Sequence, residues 1–160
     1  MEIHGDGSGA AVAETHSAVV VFVGDRAYKL KKPVDLGFLD FRTREARLAA
    51  CRREVDLNRR LSPDVYLGVA DVTGPDGEPC DHLVVMRRMP ADRRLSTLVE
   101  RGEDVDDHLW HLAHLIATFH GRAERSPAAD AAAGRTALAG RWETNTREMR
   151  AVGGRYLDPV

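Results

Sequence analysis

Gly24-Asp25-Arg26-Ala27-Tyr28-Lys29-Leu30-Lys31-Lys32-Pro33 is the stretch on which the reading of the fold turns. Just before it, Ala18 to Val23 (A-V-V-V-F-V) is a β-branched apolar run of strand length. Gly24-Asp25-Arg26 turns the chain, and Ala27 to Lys32 returns as a partner strand. Pro33, with no amide proton to give to a ladder, ends it. Side chains alternate along a strand, so Ala27, Lys29 and Lys31 share one face while Tyr28 and Leu30 share the other. The apolar pair Tyr28 and Leu30 is expected in the core. Ala27 and Lys29 present a short side chain and then a cation, room for a flat ring beside an anion. Lys31 is the alternative cation, but choosing it puts Lys29 where the ring should lie. Taken alone, the strand reads better as a surface strand with solvated lysines.

The next element weighs against that plain alternative. Thr43 is placed to cap a helix that runs to about Leu61 and is closed by Ser62-Pro63. At about 100° per residue, Leu57, Ala50, Leu61, Cys51, Val55 and Leu48 fall on one side. Arg52, Arg53, Glu45, Asp56, Arg59 and Arg60 fall opposite. Glu54 lies inside the apolar arc, between Leu61 and Cys51, where an unpaired carboxylate would cost several kcal/mol. It needs a cation from another element, and Lys29 on the neighbouring strand is the natural donor. Arg47 and Asn58 share the arc, so a partly wet polar seam is the alternative.

The rest of the chain surrounds this pair. Met1 to Gly9 reads as a flexible glycine-rich leader and Ala10 to Ala13 as a short strand. Val65 to Val72 and His82 to Met89 read as two more strands joined by the turn Thr73-Gly74-Pro75-Asp76-Gly77. Beyond the link Pro90 to Arg94, a short helix is expected over Leu95 to Arg101. A longer one, capped by Asp106 or Asp107, reaches Ala123. Ser126 to Gly134 reads as a low-complexity connector, and Leu138 to Val152 as a last helix before Gly153-Gly154 and a tail. Strands with one helix, then helices only, predict an α+β fold with a boundary near Pro90: a leader over 1–9, a lobe over 10–90 and a helical segment over 91–160.

Composition bounds the function. With 160 residues, 43% hydrophobic and 30% charged, the chain suits one soluble globular domain. A formal charge of −2 gives no field to recruit nucleic acid or anionic membrane. No apolar run is long enough to cross a bilayer, and no basic-then-apolar leader signals export. Cys51 and Cys80 lack metal or redox spacing, so reduced thiols and a cytoplasmic location are expected.

Several short patterns are decoys. His4-Gly5-Asp6 and the alternation of Gly5, Gly7 and Gly9 lie in the leader, with no strand before them and no helix opening behind them. His108, His111, His114 and His120 crowd one helix, but Leu109, Leu112, Ile116 and Phe119 supply an ordinary core stripe there. Solvated or capping histidines are the expected reading rather than a metal site. Arg87-Arg88 and Arg93-Arg94 lack interleaved aromatics and read as a solvated face.

Longer segments in register carry a resemblance. They are Glu14-Thr15-His16-Ser17, then V-V-V-F-V-G-D-R-A-Y-K-L-K-K-P-V, then F-L-D-F at Phe38 to Phe41, then C-R-R-E-V-D-L-N-R-R-L-S-P-D-V-Y-L-G-V from Cys51 to Val69. Together they resemble the N-terminal part of the bacterial aminoglycoside phosphotransferase-like proteins, which have a protein kinase-like fold. Some of these carry a second, P-loop ATP-binding domain of gluconate kinase-like type. The likeness is dense from about Ala13 to Pro90 and thins through the Leu109 to Ala123 helix. Arg26-Ala27-Tyr28-Lys29 also fits the valine-alanine-isoleucine-lysine strand of kinases at three of four places.

The resemblance implies a kinase-like N-lobe, an antiparallel sheet of about five strands plus one helix, followed by the helical start of a C-lobe. It implies ATP and Mg²⁺ as cofactors and a hydroxyl-bearing small molecule as acceptor. Lys29 would hold the α- and β-phosphates, Glu54 would orient Lys29, and adenine would lie over Ala27 against a hinge strand from Val84 to Met89 that includes Met86. Glu14 to Ser17 would stand in for the phosphate loop, offering the hydroxyls of Thr15 and Ser17 in place of glycines. The catalytic aspartate loop, expected after the helix ending near Ala123, has no counterpart here. The expectation is therefore a chain that grips nucleotide, transfers no phosphate alone, and exposes an apolar C-lobe surface on which it self-associates. A nucleotide- or protein-binding module without catalysis, and a ligand-free α+β protein with a structural Lys29–Glu54 pair, are the alternatives.

Overall fold

The computed structural model describes residues 3–5 and 10–156. Four strands come first: β1 (Ile3–Gly5), β2 (Ala10–Glu14), β3 (Ala18–Val23) and β4 (Arg26–Lys31). Helix α1 (Arg44–Arg59) follows, then β5 (Tyr66–Thr73) and β6 (Pro79–Arg87). Every described element after Arg87 is helical: a 3-10 turn at Ala91–Arg93, α2 (Leu95–Glu100), α3 (Asp106–Gly121), α4 (Pro127–Ala133) and α5 (Arg135–Tyr156). The fold is α+β.

The sheet is antiparallel throughout, in the spatial order β1-β2-β3-β4-β6-β5. Five of its strands are those expected. The sixth, β1, falls in the stretch read as a leader; it pairs Ile3 with Ala13 and Gly5 with Ala11, covering the otherwise open edge of β2. Residues 6–9 lie outside the described residues. Between β3 and β4, Gly24 turns the chain at φ 54°, a region side chains avoid. After β4 the chain crosses one face as α1, forms the far edge as β5, and returns as β6 between β5 and β4.

Thr43 caps α1 as its sequence suggests, its hydroxyl accepting from the Ala46 amide at 3.2 Å. The buried stripe, Arg47, Cys51 and Val55, lies within the expected arc but toward one side of it. Leu57 and Leu61, expected inside, are 44% and 39% exposed. This placement is possible because the polar members of the arc have partners. Arg47 is held by Asp81, and Asn58 Nδ2 donates to the Glu54 carbonyl at 2.7 Å.

Cys51, Val55 and Val84 form the core, with Tyr66, Val69 and Met86 packed against it. Val84 lies directly opposite Lys29 in the ladder, so the core is on the lysine face of β4. This corrects the expectation for Tyr28 and Leu30, which are only half-buried on the other face. Helix α1 covers the face where its own carboxylate finds cations, and that choice decides which apolar residues become core.

The described chain divides into two compact units, 1–115 and 116–160. The change from strands to helices does come at the Pro90 link, but the division between units falls inside α3. In the second unit, Ser126–Gly134 is no connector: Ser126 accepts from the Ala129 amide at 3.2 Å and caps α4, with Pro127 opening the helix. An alanine-rich run behind Ser-Pro is a helix start that a low-complexity reading hides. Helix α5 likewise continues through Gly153 and Gly154 to Tyr156.

Candidate functional site

Strand β4 presents Lys29 and Lys31 on the face that α1 covers, and α1 presents Glu54 to them. Lys29 Nζ donates to Glu54 Oε1 at 2.9 Å, and Lys31 Nζ donates to Oε2 at 2.7 Å. Side-chain exposure is 15% for Glu54, 31% for Lys29 and only 7% for Lys31. The Lys31 ammonium also lies 5.1 Å from the centre of the Phe41 ring. Burial alone would raise the Glu54 carboxyl, but the bonds from Lys31 and Lys29 outweigh it and hold the group below its ordinary value of 4.5. Two spaced lysines thus share one carboxylate, where the sequence had posed them as rivals.

Other carboxylates of the sheet have partners of their own. Arg47 Nε donates to both oxygens of Asp81 at 2.9 and 3.1 Å, His82 Nδ1 is 2.8 Å from Asp71 Oδ1, and Glu14 pairs with Lys32. The Lys29–Glu54–Lys31 cluster therefore carries one positive charge more than its own carboxylate neutralises. For Arg47, its place inside an apolar arc was the available signal for a buried partner.

Cys51 is buried beside this cluster, and burial pushes its thiol above the ordinary value of 9.0. Cys80 is exposed. In the native protein, iodoacetamide is expected to label Cys80 readily and Cys51 only after denaturant is added, as peptide mass spectrometry will show. Equal labelling of both in native buffer would contradict the packing of α1 on the sheet.

The other expected site residues are placed as follows. Ala27 lies directly opposite Phe22 on one side and Met86 on the other, and is 5% exposed. Phe22, Ala27 and Met86 therefore form one row across three strands. Met86 packs on the core cluster. Beyond it, the Arg87 amide donates to the Val65 carbonyl and the Arg88 amide to the Asp25 carbonyl, so these two hinge amides are engaged within the lobe.

The Glu14–Ser17 hairpin also uses its own groups. Thr15 Oγ1 accepts from the Ala18 amide and donates to the Ala18 carbonyl, both at 3.1 Å, and the Ser17 carbonyl accepts from the Lys32 amide at 2.9 Å. An open cavity of about 640 Å³ beside it is lined by Glu14, Thr15, His16 and Lys32, a lining that includes neither Lys29 nor Glu54.

On α3, His111 Nδ1 lies 2.7 Å from the Asp107 carbonyl and His114 Nδ1 lies 3.1 Å from the Trp110 carbonyl. Trp110 stacks on His114 at 3.8 Å between ring centres. Among the described residues, no group of three or more His, Cys, Asp or Glu is placed to hold a metal. The core stripe expected on this helix is not buried: Leu109, Leu112 and Ile116 are exposed, with Trp110 and Leu115. Among the described residues no helix is long and apolar enough to cross a membrane.

This chain is similar to proteins named only as uncharacterized from Mycobacterium bovis and from two strains of Mycobacterium tuberculosis, each 46% identical over 139 residues. The match covers 87% of this chain, while the chain spans about 28% of the length of those relatives. No family model matches the sequence. No solved structure matches it either.

Proposed function

We propose that residues 1–160 form the nucleotide-gripping part of an ATP-dependent phosphotransferase of the aminoglycoside, choline or sugar kinase type. The observation that carries this reading is the surplus positive charge of the Lys29–Glu54–Lys31 cluster, half-buried at the join of sheet and helix. An uncompensated cation in such a place is stabilised by an anion, and a nucleotide phosphate is an anion with several acceptor oxygens. The strand order supports the reading, because a helix inserted between β4 and an edge strand supplies the carboxylate that aims a strand lysine. The Phe22–Ala27–Met86 row beside the lysine suits an adenine ring.

The residues present fit the phosphate grip. Bound ATP with Mg²⁺ would supply the phosphoryl group and its charge neutralisation. Lys29 would hold phosphate oxygens and Glu54 would keep Lys29 aimed. The proposal assigns these residues the phosphate grip. A hydroxyl-bearing small molecule as acceptor and a cytoplasmic setting belong to the same proposal.

The test is thermal unfolding with and without Mg-ATP, beside an assay of phosphate transfer. Saturating nucleotide is expected to stabilise the native chain, by about 2.7 kcal/mol at a hundredfold excess over the dissociation constant. Lys29→Met is expected to remove that response while the chain stays folded. A midpoint that stays flat up to millimolar Mg-ATP would sink the reading. Sustained phosphate transfer by purified 1–160, lost in Lys29→Met, would show that the grip-only assignment is too narrow. Nucleotide binding without any transfer equally suits a non-catalytic binding module, the second reading supported by the same surplus charge.

A further inference from the structure

The two lysines on Glu54 have different environments, and the difference divides their work. Lys31 is almost wholly enclosed, packed near the Phe41 ring, and makes the shorter bond, 2.7 Å to Oε2. Lys29 bonds the other oxygen at 2.9 Å and keeps about a third of its side chain in contact with solvent. A ligand reaching the cluster from outside meets Lys29 first and cannot reach Lys31 without displacing the helix or Phe41.

We infer that Lys31 is a positioning residue, a fixed counter-charge that holds Glu54 in place so that Lys29 remains free to engage an anionic ligand. This rests on the nucleotide-gripping reading above. Without Lys31, Glu54 would have Lys29 as its partner at both oxygens, and the two would form a neutral pair with no charge left over for phosphate. With Lys31 in place, the enclosed lysine neutralises the carboxylate and the full charge of Lys29 faces outward. Strand geometry makes the arrangement possible, because residues two apart on β4 project from one face and reach the two oxygens of one carboxylate. Asp81 and Glu14 do not disturb the balance, since Arg47 and Lys32 pair with them, and the Asp71 carboxylate is bonded to His82.

The experiment compares the wild-type chain with Lys31→Met, Lys31→Arg and Lys29→Met. Mg-ATP affinity is measured by calorimetry, and the Glu54 carboxyl titration by carbon-detected NMR. Lys31→Met is expected to fold, to bind Mg-ATP at least about tenfold more weakly, and to show Glu54 titrating at higher pH than in wild type. Lys31→Arg, which keeps the charge, is expected to recover most of both properties. Those two readouts separate positioning from mere support of the fold, which would lower the melting point while leaving affinity and titration alone.

Wild-type affinity in a folded Lys31→Met chain would overturn the inference and leave the nucleotide reading intact. Lost binding in Lys31→Met beside retained binding in Lys29→Met would also overturn it, by making Lys31 the phosphate lysine. No binding by wild type would overturn the nucleotide reading and this inference together.

Discussion

Replacing Arg47 by methionine is expected to lower the free energy of unfolding by about 3–5 kcal/mol, measured as a fall in the urea midpoint at unchanged slope. Arg47 is 8% exposed, and its guanidinium organises three separate parts of the chain. Its Nε holds both oxygens of Asp81 on β6, and its Nη1 donates to the carbonyls of Phe41 and Arg42 at 2.9 and 3.1 Å. Methionine would replace much of the apolar stem but none of these donors. Asp81 would keep only the His82 amide at 2.8 Å, leaving a part-buried carboxylate without its cation and two carbonyls without a donor. Single domains are stable by only about 5–15 kcal/mol, so the loss is a large share of the total. Arg47→Lys should lose less, because one ammonium keeps the charge but cannot span the carboxylate and both carbonyls. A midpoint within error of wild type for Arg47→Met would mean that α1 is not anchored through this side chain.

Arg47 also marks the limit of what was legible beforehand. The hairpin of β3 and β4, the cap at Thr43, the length of α1 and the return of β5 and β6 follow from local chemistry: β-branched runs, a turn glycine, a capping hydroxyl, prolines at the ends. The Lys29–Glu54 contact was legible because an acid inside an apolar arc must find a cation. The exact phase of α1 was not, because Leu57 and Leu61 weight the arc to one side while Arg47, which shares it, is buried only through a partner that is distant in sequence. Asp81 lies far along the chain, and nothing local announces it. The core side of β4 was hidden too, because its apolar pair, Tyr28 and Leu30, lies on the face opposite the lysines that α1 covers. Helix α4 was hidden differently, since alanine carries no periodic signal and only Ser126-Pro127 marked its start.

Glu54→Gln is expected to destabilise the chain by about 2–3 kcal/mol at pH 7, discounted for the partial exposure of Lys29. Glutamine keeps the size of the side chain but can offer one oxygen to one ammonium, and its amide group would face the other. Two lysines on adjacent same-face positions would then be held together with no negative charge between them. The dependence on pH tests the cause. The folded-state pKa of Glu54 lies below its ordinary 4.5, so the stability it contributes is fully present above that value and is lost as pH falls through the folded one. The gap between wild type and Glu54→Gln should therefore hold steady from neutral pH down to about 5 and close at more acid pH. A gap that already closes between pH 7 and 5 would mean that burial, not the two lysines, governs this carboxyl. Adding Mg-ATP to the variant separates the roles further. If Glu54 only braces the sheet against α1, nucleotide should stabilise the variant as much as wild type; if it aims Lys29, that stabilisation should fall with it.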